Sequence, residues 1–381
     1  MHSFYEFFAG GGMVRSGLGS KWSCLFANDI DPKKGASYIE NWGEKELRVG
    51  DVADIDTADL PGRADLAWAS FPCQDLSLAG SGAGLRGERS GTFWSFWRLM
   101  KTLAVEGRAV PLIVIENVCG TLTSNGGRDF TALITALTRQ DYSCGALVID
   151  AVHFIPQSRP RLFIIAVHSS QAIDEHLFSA QADEKWCTPA LHRAYARLSL
   201  QDKKRWIWWQ LKSPPLRTDG FSDLEESPPQ GVRWHTAKET RRLLSMMNES
   251  HFAKVVEAKR AGKRVIGTVY KRTRPTKEGG YKQRAEIRFD NIAGCLRTPT
   301  GGSSRQTLMI VEGENVKSRL LSPREAARLM GISDDYALPR RYNEAYHLAG
   351  DGVVVPVVRH IAENIFEPVL NAEIFTQEKV A

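Results

Sequence analysis

Two segments of the sequence place a reactive side chain directly after an apolar run. ASFPCQDLS puts Cys73 after Pro72, just beyond a run typical of a buried strand. A thiol in such a turn can be exposed, and N–H groups of a turn or helix that begins there favour the nucleophilic thiolate. PLIVIENV ends in Glu116, and a carboxyl group at a buried strand end is suited to donating a proton. The alternatives are a buried structural cysteine and a carboxylate that caps the next turn.

A third segment, PQSRPRLFIIAV, carries two arginines, Arg159 and Arg161, in what the pattern predicts to be one strand. Side chains two positions apart on a strand lie on the same face. Their guanidinium groups could therefore bind carbonyl oxygens or phosphates together. A pair of surface arginines at a sheet edge would have the same spacing.

Glycines at positions 10 to 12, in FFAGGGM, follow the first apolar run and suggest a turn that approaches a nucleotide-like cofactor. The spacing is not GxGxxG, so a simple tight turn is an equal alternative. Asp29 ends the second run in NDID, where a carboxylate accepts hydrogen bonds from ribose hydroxyls. Asp51, in GDV, could bind an adenine base or be a solvated loop residue.

These residues follow apolar runs that read as strands of one sheet. The runs are Ser3 to Phe8, Ser23 to Asn28, Ala64 to Phe71, Pro111 to Glu116, Ala146 to Val152 and Arg161 to Val167. Helical patterns such as Asp129 to Arg139 separate them. Strands alternating with helices predict an α/β fold with a parallel sheet covered by helices on both faces.

The alternation stops near residue 170 and returns near residue 320, which predicts a separate module between the two points. That module contains scattered prolines, the basic segment KRTRPTK and the tryptophans of WIWWQ, which we interpret as core residues. SPREAARLMG begins with a capping box formed by Ser322 and Glu325 and predicts a helix. The run VVVPVVRHIAENI from Val353 follows a Gly-Asp-Gly turn and predicts a strand end, then a helix that returns to the first domain.

The overall composition is that of a soluble globular protein. The chain has 381 residues, of which 43% are hydrophobic, and no run approaches the roughly 18 apolar residues of a membrane span. The start of the chain lacks the features of a secretory signal, so we expect a cytoplasmic protein. Six dispersed cysteines without a CxxC pair predict reduced thiols rather than a zinc site or disulfides.

Positive charge is concentrated in the middle of the chain. Residues 180–319 hold 28 Lys and Arg against 15 Asp and Glu, whereas the rest holds 22 against 29. A basic segment in an otherwise acidic chain indicates a polyanionic partner, because lysines and arginines release counterions when they neutralise phosphates. A solvated basic face is the alternative.

The ordered set of motifs resembles that of the bacterial DNA cytosine-5 methyltransferase family. In chain order these motifs are FFAGGG, FPCQ, ENV, QSRPR, SPREAARLMGI and GDGVVVP. The resemblance covers residues 3–167 and 319–365, and FPCQ followed by ENV and QxRxR is highly specific. It implies a Rossmann-like S-adenosylmethionine-dependent methyltransferase sheet in a catalytic domain (1–179), a smaller target-recognition domain (180–318) and a C-terminal segment (319–381) that returns to the first.

The resemblance also implies a cofactor pocket for S-adenosylmethionine. Phe8 would stack on the adenine, Gly10 and Gly12 would line the methionine part, Asp29 would hold the ribose and Asp51 the adenine amino group. Ala9, Ile30, Val52 and Phe71 would complete the pocket.

The implied chemistry begins when Cys73 attacks carbon 6 of the cytosine, which makes carbon 5 nucleophilic towards the methyl group. Glu116 would bind and protonate ring nitrogen 3. Arg161, helped by Arg159, would hold the ring oxygen, and the Phe71 carbonyl would accept from the exocyclic amine. Loss of the carbon-5 proton and release of Cys73 would regenerate the enzyme.

Such chemistry requires the base to be flipped out of double-stranded DNA. The glycine-rich segment SLAGSGAGLRGERSG is suited to a loop that closes over the DNA, and Leu296 to Gln306 to phosphate contacts and base readout. The resemblance implies a modification enzyme of restriction-modification type. We expect a monomer that binds no metal and no membrane.

Two positions depart from the family pattern: Asp351 stands where asparagine is usual and Met13 where glycine is common. Three other functions remain open at this point. They are a methyltransferase of the same fold that acts on cytosine in transfer RNA, an oxidoreductase with a nicotinamide cofactor, and a DNA-binding relative without catalysis.

Overall fold

The computed structural model describes residues 1–72, 92–276, 279–298 and 305–378. The chain divides into two compact units. The first comprises Met1–Asp150, Pro160–Pro214 and Val355–Ala381, and the second comprises Ala151–Arg159 and Pro215–Val354. No helix among the described residues is long and apolar enough to cross a membrane.

The first unit is built around alternating strands and helices. Up to residue 214 its elements are β1 (His2–Phe7), α1 (Met13–Leu18), β2 (Trp22–Asp29), α2 (Pro32–Trp42), β3 (Leu47–Val49), β4 (Leu66–Ala69), α3 (Thr92–Val105), β5 (Leu112–Val118), α4 (Arg128–Thr138), β6 (Tyr142–Asp150), β7 (Pro160–His168), β8 (Phe178–Ser179), α5 (Pro189–Ala196), α6 (Leu200–Lys204) and β9 (Trp208–Trp209). The six predicted strands and the predicted helix at 129–139 are present, and β3 is an additional strand.

The main sheet has the strand order β3-β2-β1-β4-β5-β7-β6. Neighbours from β3 to β5 pair in parallel, whereas β7 runs antiparallel to both β5 and β6. The predicted parallel arrangement therefore holds from β3 to β5 but not for β7, because the connection after β6 returns the chain directly beside it. This reversal brings the start of β7 to the edge of the sheet at which β5 ends.

Residues 180–214 belong to the first unit, which differs from the boundary predicted at residue 180. Backbone N–H groups of β6 at Cys144 and Val148 donate to the carbonyls of Arg205 and Trp186. Gly145 permits this close approach, because an added Cβ would lie 1.9 Å from the Ile207 carbonyl oxygen. Trp209 is buried and Trp206 and Trp208 pack partly buried against the core, as core residues would.

The second unit has a four-stranded antiparallel sheet of order β11-β10-β12-β13. Its elements are α7 (Ala237–Ser245), α8 (Glu249–Arg260), β10 (Val265–Pro275), β11 (Tyr281–Arg288), β12 (Thr307–Glu312), β13 (Asn315–Leu320), α9 (Pro323–Arg328) and α10 (Tyr342–Asp351). Its core joins the apolar sides of α7 and α8 to alternate residues of the sheet. The buried residues of this core are Leu243, Met247, Val255, Ala258, Val269, Ala285, Ile287, Met309 and Val311.

Residues 319–354 also belong to the second unit, although they were predicted to lie in the returning segment. Arg319 at the end of β13 forms a fully buried ion pair with Glu325, at 2.6 Å. Glu325 also completes the predicted capping box. Its carboxylate accepts a hydrogen bond from the Ser322 N–H, and the Ser322 hydroxyl accepts one from the Glu325 N–H. These contacts hold the start of α9 against β13.

The chain returns to the first unit at Val355. There α11 (Val355–Ile361) and α12 (Glu367–Glu378) follow directly on the Gly-Asp-Gly segment. The return was predicted, but the predicted strand end is absent. Valines favour strands, yet a proline is readily accepted in the first turn of a helix, and Pro356 lies there.

Helices cover both faces of the main sheet. On one face, α3 and α4 pack in a single core with strand residues such as Ile113 and Ile164. On the other, the Trp68 ring contacts that of Phe366, and Gly17 of α1 lies so close to α11 that an added Cβ would be 2.5 Å from Val358. The sheet is therefore buried on both sides, and its functional side chains emerge at the strand ends.

Candidate functional site

Glu116 and Arg161 form an ion pair on adjacent antiparallel strands. Arg161 is paired with Val118 in the β5–β7 ladder, so its side chain shares a face with that of Glu116, two residues earlier. The Arg161 Nε atom lies 3.4 Å from Glu116 Oε1, and both side chains are largely buried. A carboxyl group and a guanidinium so arranged can contact neighbouring nitrogen and oxygen atoms of one planar ring.

The end of β4 lies beside this pair, because β4 and β5 are parallel neighbours. The Phe71 carbonyl, expected to accept from a substrate amine, accepts from the Asn117 side-chain amide at 3.3 Å. A carbonyl oxygen has two lone pairs, so one acceptor position is left for a ligand. Cys73 lies outside the described residues, two positions after Phe71. Asn117, for which the sequence pattern alone indicated no role, positions this strand end.

Arg159 does not belong to the strand that carries Arg161. It precedes β7 and lies in the second unit, so the prediction that both arginines share a strand face was wrong. The residue is 2% exposed, and its guanidinium donates to the carbonyls of Leu296, Gly350 and Gly352 at 2.8–2.9 Å. These contacts indicate a residue that positions backbone within the second unit.

The turn after β1 adopts a left-handed backbone at alternate positions. Phe8, Gly10 and Gly12 have φ values of 60°, 56° and 79°. No described atom lies within 4 Å of a Cβ built on Gly10, so the backbone there is open to a ligand.

The space beside Gly12 is filled from within the protein. A Cβ on Gly12 would lie 2.5 Å from Trp42 Nε1, which donates to the Gly11 carbonyl at 3.1 Å. Gly12 is therefore required for the packing of Trp42 as well as for its own φ. Trp42 was missed in the sequence analysis, because its proximity to the turn arises only when α2 folds back.

Asp29 lies at the end of β2 and faces the same turn. Its carboxylate accepts from the N–H groups of Gly10 and Asp31, each at 2.8 Å. Burial raises the pKa of Asp29, and the charge of Lys34 and these two hydrogen bonds partly oppose that rise. The next residue, Ile30, is 63% exposed, which provides an apolar surface beside a buried carboxylate.

The end of β3 continues the same edge. The Asn28 side-chain amide donates to the carbonyls of Arg48 and Gly50, each at 2.9 Å, and so joins β2 to the segment before Asp51. Asp51 accepts from the Ala53 N–H at 2.9 Å, and Val52 is buried. Both predicted residues thus lie one strand away from Asp29.

Glu6 is a buried carboxyl group near the glycine turn that was not singled out from the sequence. It is 1% exposed, and burial raises its pKa to about 8, against the opposing effect of the Val14 and Arg15 backbone N–H groups and the Arg15 charge. Its position inside the apolar run YEFF was the available signal.

The two departures from the family pattern occupy defined places. Met13 is buried at the start of α1, immediately after the left-handed Gly12. Asp351 ends α10, and its carboxylate accepts from the Thr298 hydroxyl. The glycine-rich loop predicted at 77–91, and residues 299–304 of the predicted DNA-contacting segment, lie outside the described residues.

The topology gathers most of the predicted residues at one edge of the main sheet. Because β1, β2, β4 and β5 are parallel, their carboxyl ends share that edge, and antiparallel β7 begins there. Phe8, Ala9, Gly10, Gly12, Asp29, Ile30, Phe71, Glu116 and Arg161 all follow or end these strands, or begin β7.

Comparisons with known proteins identify the family to which this chain is similar. The family model for C-5 cytosine-specific DNA methylase matches residues 2–367. The chain is 25% identical over 379 residues to the type II methyltransferase M.BsuFI of Bacillus subtilis, with 99% of this chain and 75% of that protein covered. It is also 25% identical over 364 residues to the type II methyltransferase M.HhaI of Haemophilus parahaemolyticus, with 95% and 93% covered.

A solved structure, that of the Entamoeba histolytica methyltransferase EhMeth, shares the fold with a TM-score of 0.63 at 15% identity, covering 96% of this chain and 98% of that one. The predicted α/β methyltransferase fold and the resemblance to the family are thus confirmed. The matches favour DNA over transfer RNA as the class of substrate. The chain is a DNA cytosine-5 methyltransferase and belongs to the C-5 cytosine-specific DNA methylase family.

Proposed function

We propose that the protein transfers a methyl group from S-adenosylmethionine to carbon 5 of a cytosine flipped out of a specific site in double-stranded DNA. The observation that carries the proposal is the pairing of Glu116 with Arg161 at the sheet edge where the segment leading to Cys73 also ends. One acidic and one basic group at that edge match the ring nitrogen and ring oxygen of cytosine.

The residues at the glycine turn fit S-adenosylmethionine. Open backbone at Gly10 suits the approach of the methionine part, and the exposed Ile30 suits an apolar base. Each oxygen of the buried Asp29 carboxylate already accepts one N–H and retains a lone pair for a ribose hydroxyl. When bound, the cofactor supplies a methyl group activated by its sulfonium.

The remaining pocket residues would complete the site. Phe8 would contact the adenine from the start of the turn, and Asp51, one strand away from Asp29, would accept from its amino group. Gly12, Ala9, Val52 and Phe71 would form the surrounding wall.

In the proposed reaction the Cys73 thiolate forms a bond to carbon 6 of the cytosine. Glu116 gives its proton to ring nitrogen 3, which takes up the electron pair displaced by that addition. Arg161 donates to the ring oxygen, and the free lone pair of the Phe71 carbonyl accepts from the exocyclic amine. Once carbon 5 carries the methyl group, a water molecule takes its proton, and the electron pair of that bond re-forms the double bond between carbons 5 and 6 as the bond to Cys73 breaks. Ring nitrogen 3 returns its proton to Glu116, and the thiolate is restored.

The second unit would bind the DNA, since most of the basic segment at 180–319 lies within it. Phosphates would be neutralised by its lysines and arginines, and base edges would be contacted in a groove. We extend the proposal to a cytoplasmic monomer that needs no metal. Arg159 would hold backbone of the second unit rather than contact the cytosine.

Methylation mapping tests this function directly. The gene is expressed in a host that lacks other cytosine methylases, and host DNA is sequenced for 5-methylcytosine. We expect one short duplex motif to be methylated, with transfer RNA from the same cells unmodified. Methylation confined to transfer RNA, or on another atom of the base, would refute the proposal.

The nucleophile is tested separately with Cys73→Ser. This variant should lose methyl transfer while retaining S-adenosylmethionine binding in calorimetry. The unaltered protein should become covalently trapped on duplex DNA that carries 5-fluorocytosine, because loss of the carbon-5 proton is blocked. Substantial turnover by Cys73→Ser would show that another residue attacks the ring.

A further inference from the structure

The glycine turn after β1, residues 9–12, has a left-handed backbone at Gly10 and Gly12. Glycine adopts this conformation readily, but it adopts many others as well, so a run of three glycines is intrinsically flexible. Only molecules in which the turn already has the binding conformation contribute to affinity, and the apparent dissociation constant rises as their fraction falls. Any contact that fixes this turn therefore affects the binding of a ligand to it.

Strand β2 fixes the turn from one side. The Ala9 N–H donates to the Asn28 carbonyl at 2.8 Å, and the Gly10 N–H donates to the Asp29 carboxylate at 2.8 Å. Both contacts hold the first half of the turn. Neither of them involves Gly11 or Gly12.

The last residue of α2 fixes the second half of the turn. The Trp42 indole N–H donates to the Gly11 carbonyl at 3.1 Å. The same side chain fills the space beside Gly12, since an added Cβ there would lie 2.5 Å from Trp42 Nε1 and 3.0 Å from the Tyr38 ring. A phenyl ring could fill this space but has no N–H to donate to the carbonyl.

Arg15 of α1 in turn fixes the indole. Its guanidinium carbon lies 5.0 Å from the centroid of the Trp42 ring, which is within the range of a cation–π interaction. Arg15 Nη1 also donates to the Tyr38 hydroxyl at 2.9 Å and to the Glu46 carboxylate at 3.2 Å. The side chains of Arg15 and Glu46 are only 22% and 18% exposed. The orientation of the indole is thus set by residues outside the turn.

We infer that Trp42 is a positioning residue for the cofactor: its indole N–H holds the glycine turn in the conformation that accepts S-adenosylmethionine, and Arg15 acts through Trp42 by holding the indole. The inference rests on the proposed function, because it concerns the site assigned there to the cofactor. It adds that cofactor affinity depends on two side chains that act on the turn rather than on the cofactor.

The hydrogen bond is tested with Trp42→Phe, which keeps an aromatic ring and removes the donor. We expect the KM for S-adenosylmethionine to rise about tenfold. The kcat at saturating cofactor and the KM for duplex DNA should not change, because the bound cofactor itself then holds the turn. Calorimetric titration with S-adenosylmethionine, in the absence of DNA, should show the same weakening. An unchanged cofactor affinity, or a fall in kcat alone, would overturn the inference.

Trp22→Phe is the matched control for a general loss of stability. Trp22 is 5% exposed, and its indole N–H donates to Glu367 at 3.3 Å. It begins β2, at the edge of the sheet opposite the glycine turn. The control therefore loses a similar hydrogen bond and should lose stability to a similar extent, but its cofactor affinity should not change. An equal loss of cofactor affinity in the two variants would overturn the inference.

The role of Arg15 is tested by combining two substitutions. Arg15→Gln should weaken cofactor binding about threefold in the otherwise unaltered protein. In the Trp42→Phe protein it should have no further effect, because the indole N–H is already absent. Glu46 loses its partner in both proteins, so this cost to stability cancels in the comparison. Equal effects in both proteins would show that Arg15 does not act through Trp42.

A measurement on the unaltered protein applies even if a variant fails to fold. The N–H groups of Gly10 and Gly12 donate to Asp29 and to the Ala9 carbonyl. In a turn that is already fixed, both should be protected from hydrogen exchange before cofactor is added. Exchange as fast as in an unstructured peptide, with protection only after S-adenosylmethionine is added, would show that the cofactor orders the turn. That result would overturn the inference.

Failure of this inference is distinguishable from failure of the proposed function. If Trp42→Phe weakens cofactor binding as expected but the methyl group is found on transfer RNA, the proposed substrate is wrong and the inference stands. If the protein methylates duplex DNA and Trp42→Phe binds the cofactor normally, only the inference fails. If the unaltered protein binds no S-adenosylmethionine, both fail.

Discussion

The Nε atom of Arg161 lies 3.4 Å from Oε1 of Glu116, on strands that run in opposite directions. The reversal of β7 makes this contact possible, because it places the beginning of one strand beside the end of another. In a wholly parallel sheet a residue at the start of a strand would lie at the opposite edge. The proposed acid and its partner therefore depend on the one reversed strand.

Replacement of Glu116 by glutamine should reduce the rate of methyl transfer by about 10²- to 10⁴-fold, because the amide cannot give a proton to ring nitrogen 3. Single-turnover methylation of the mapped duplex measures the effect. Glu314→Gln is the matched control, since that carboxylate is 89% exposed and paired only with Lys259 among the described residues. Equal rates for the two variants would remove Glu116 from the mechanism.

Replacement of both Glu116 and Arg161 should raise the transition-state free energy of methyl transfer by less than the sum of the two single increases. Arg161→Ala leaves the Glu116 carboxylate buried without its guanidinium partner, whereas the double variant with Glu116→Gln does not. Groups that act as a unit are non-additive in kinetics. Full additivity of the two effects on transition-state free energy would show that the residues act independently.

Asp29→Ala should weaken S-adenosylmethionine binding by about 10- to 100-fold, because the buried carboxylate provides charge-assisted hydrogen bonds. Isothermal titration calorimetry measures the change. Asp31→Ala is the control, since it removes the cap of α2 and lowers stability by about 1 kcal/mol without affecting the ribose contact. Equal cofactor affinities for the two variants would contradict the assigned role of Asp29.

Arg159→Met should lower the free energy of unfolding by about 3 kcal/mol, because three carbonyls of the second unit lose their donor. Denaturant titration measures this loss. If Arg159 only positions backbone, methyl transfer per folded molecule should change little at low temperature. A stable variant with a collapsed rate would instead place Arg159 in contact with the substrate.

Glu6 should make stability depend on pH. Its pKa is raised to about 8 in the folded protein, so the folded state binds more protons than the unfolded state between about pH 4.5 and 8. The free energy of unfolding should therefore fall as pH rises through that range. Glu6→Gln should flatten the decline, which denaturant titrations at several pH values measure. An unchanged decline in the variant would show that Glu6 is ionised in the folded state.

Local sequence patterns predicted the positions of strands and helices better than the directions in which the strands run. The apolar runs located the main strands within about two residues at most ends, and Ser322 with Glu325 located a helix start, because these signals lie within a few residues of each other. The direction of β7 has no such signal, since an apolar run reads the same in a parallel and an antiparallel strand.

Which core a segment packs into likewise depends on contacts between residues that are far apart in the sequence. The segment with Trp186 and Trp209 resembled a new module in composition, yet these side chains are buried in the first unit. Arg159 shows the same limit, because its spacing from Arg161 was informative only if both lay in a strand. Trp42, which supports the glycine turn, was recognisable only once the chain was folded.

Ala151–Arg159 belongs to the second unit although it connects two strands of the first. This affects the design of chimeras in which the second unit is exchanged between related methyltransferases. Gln157 pairs with Ala293 and accepts from the Leu296 N–H, and Arg159 donates to three carbonyls of 215–354. A chimera that transplants 215–354 alone would leave these donors and acceptors behind in the host scaffold. The second unit thus consists of two separate segments of the chain. A chimera must therefore receive Ala151–Arg159, which lies between β6 and β7, together with 215–354.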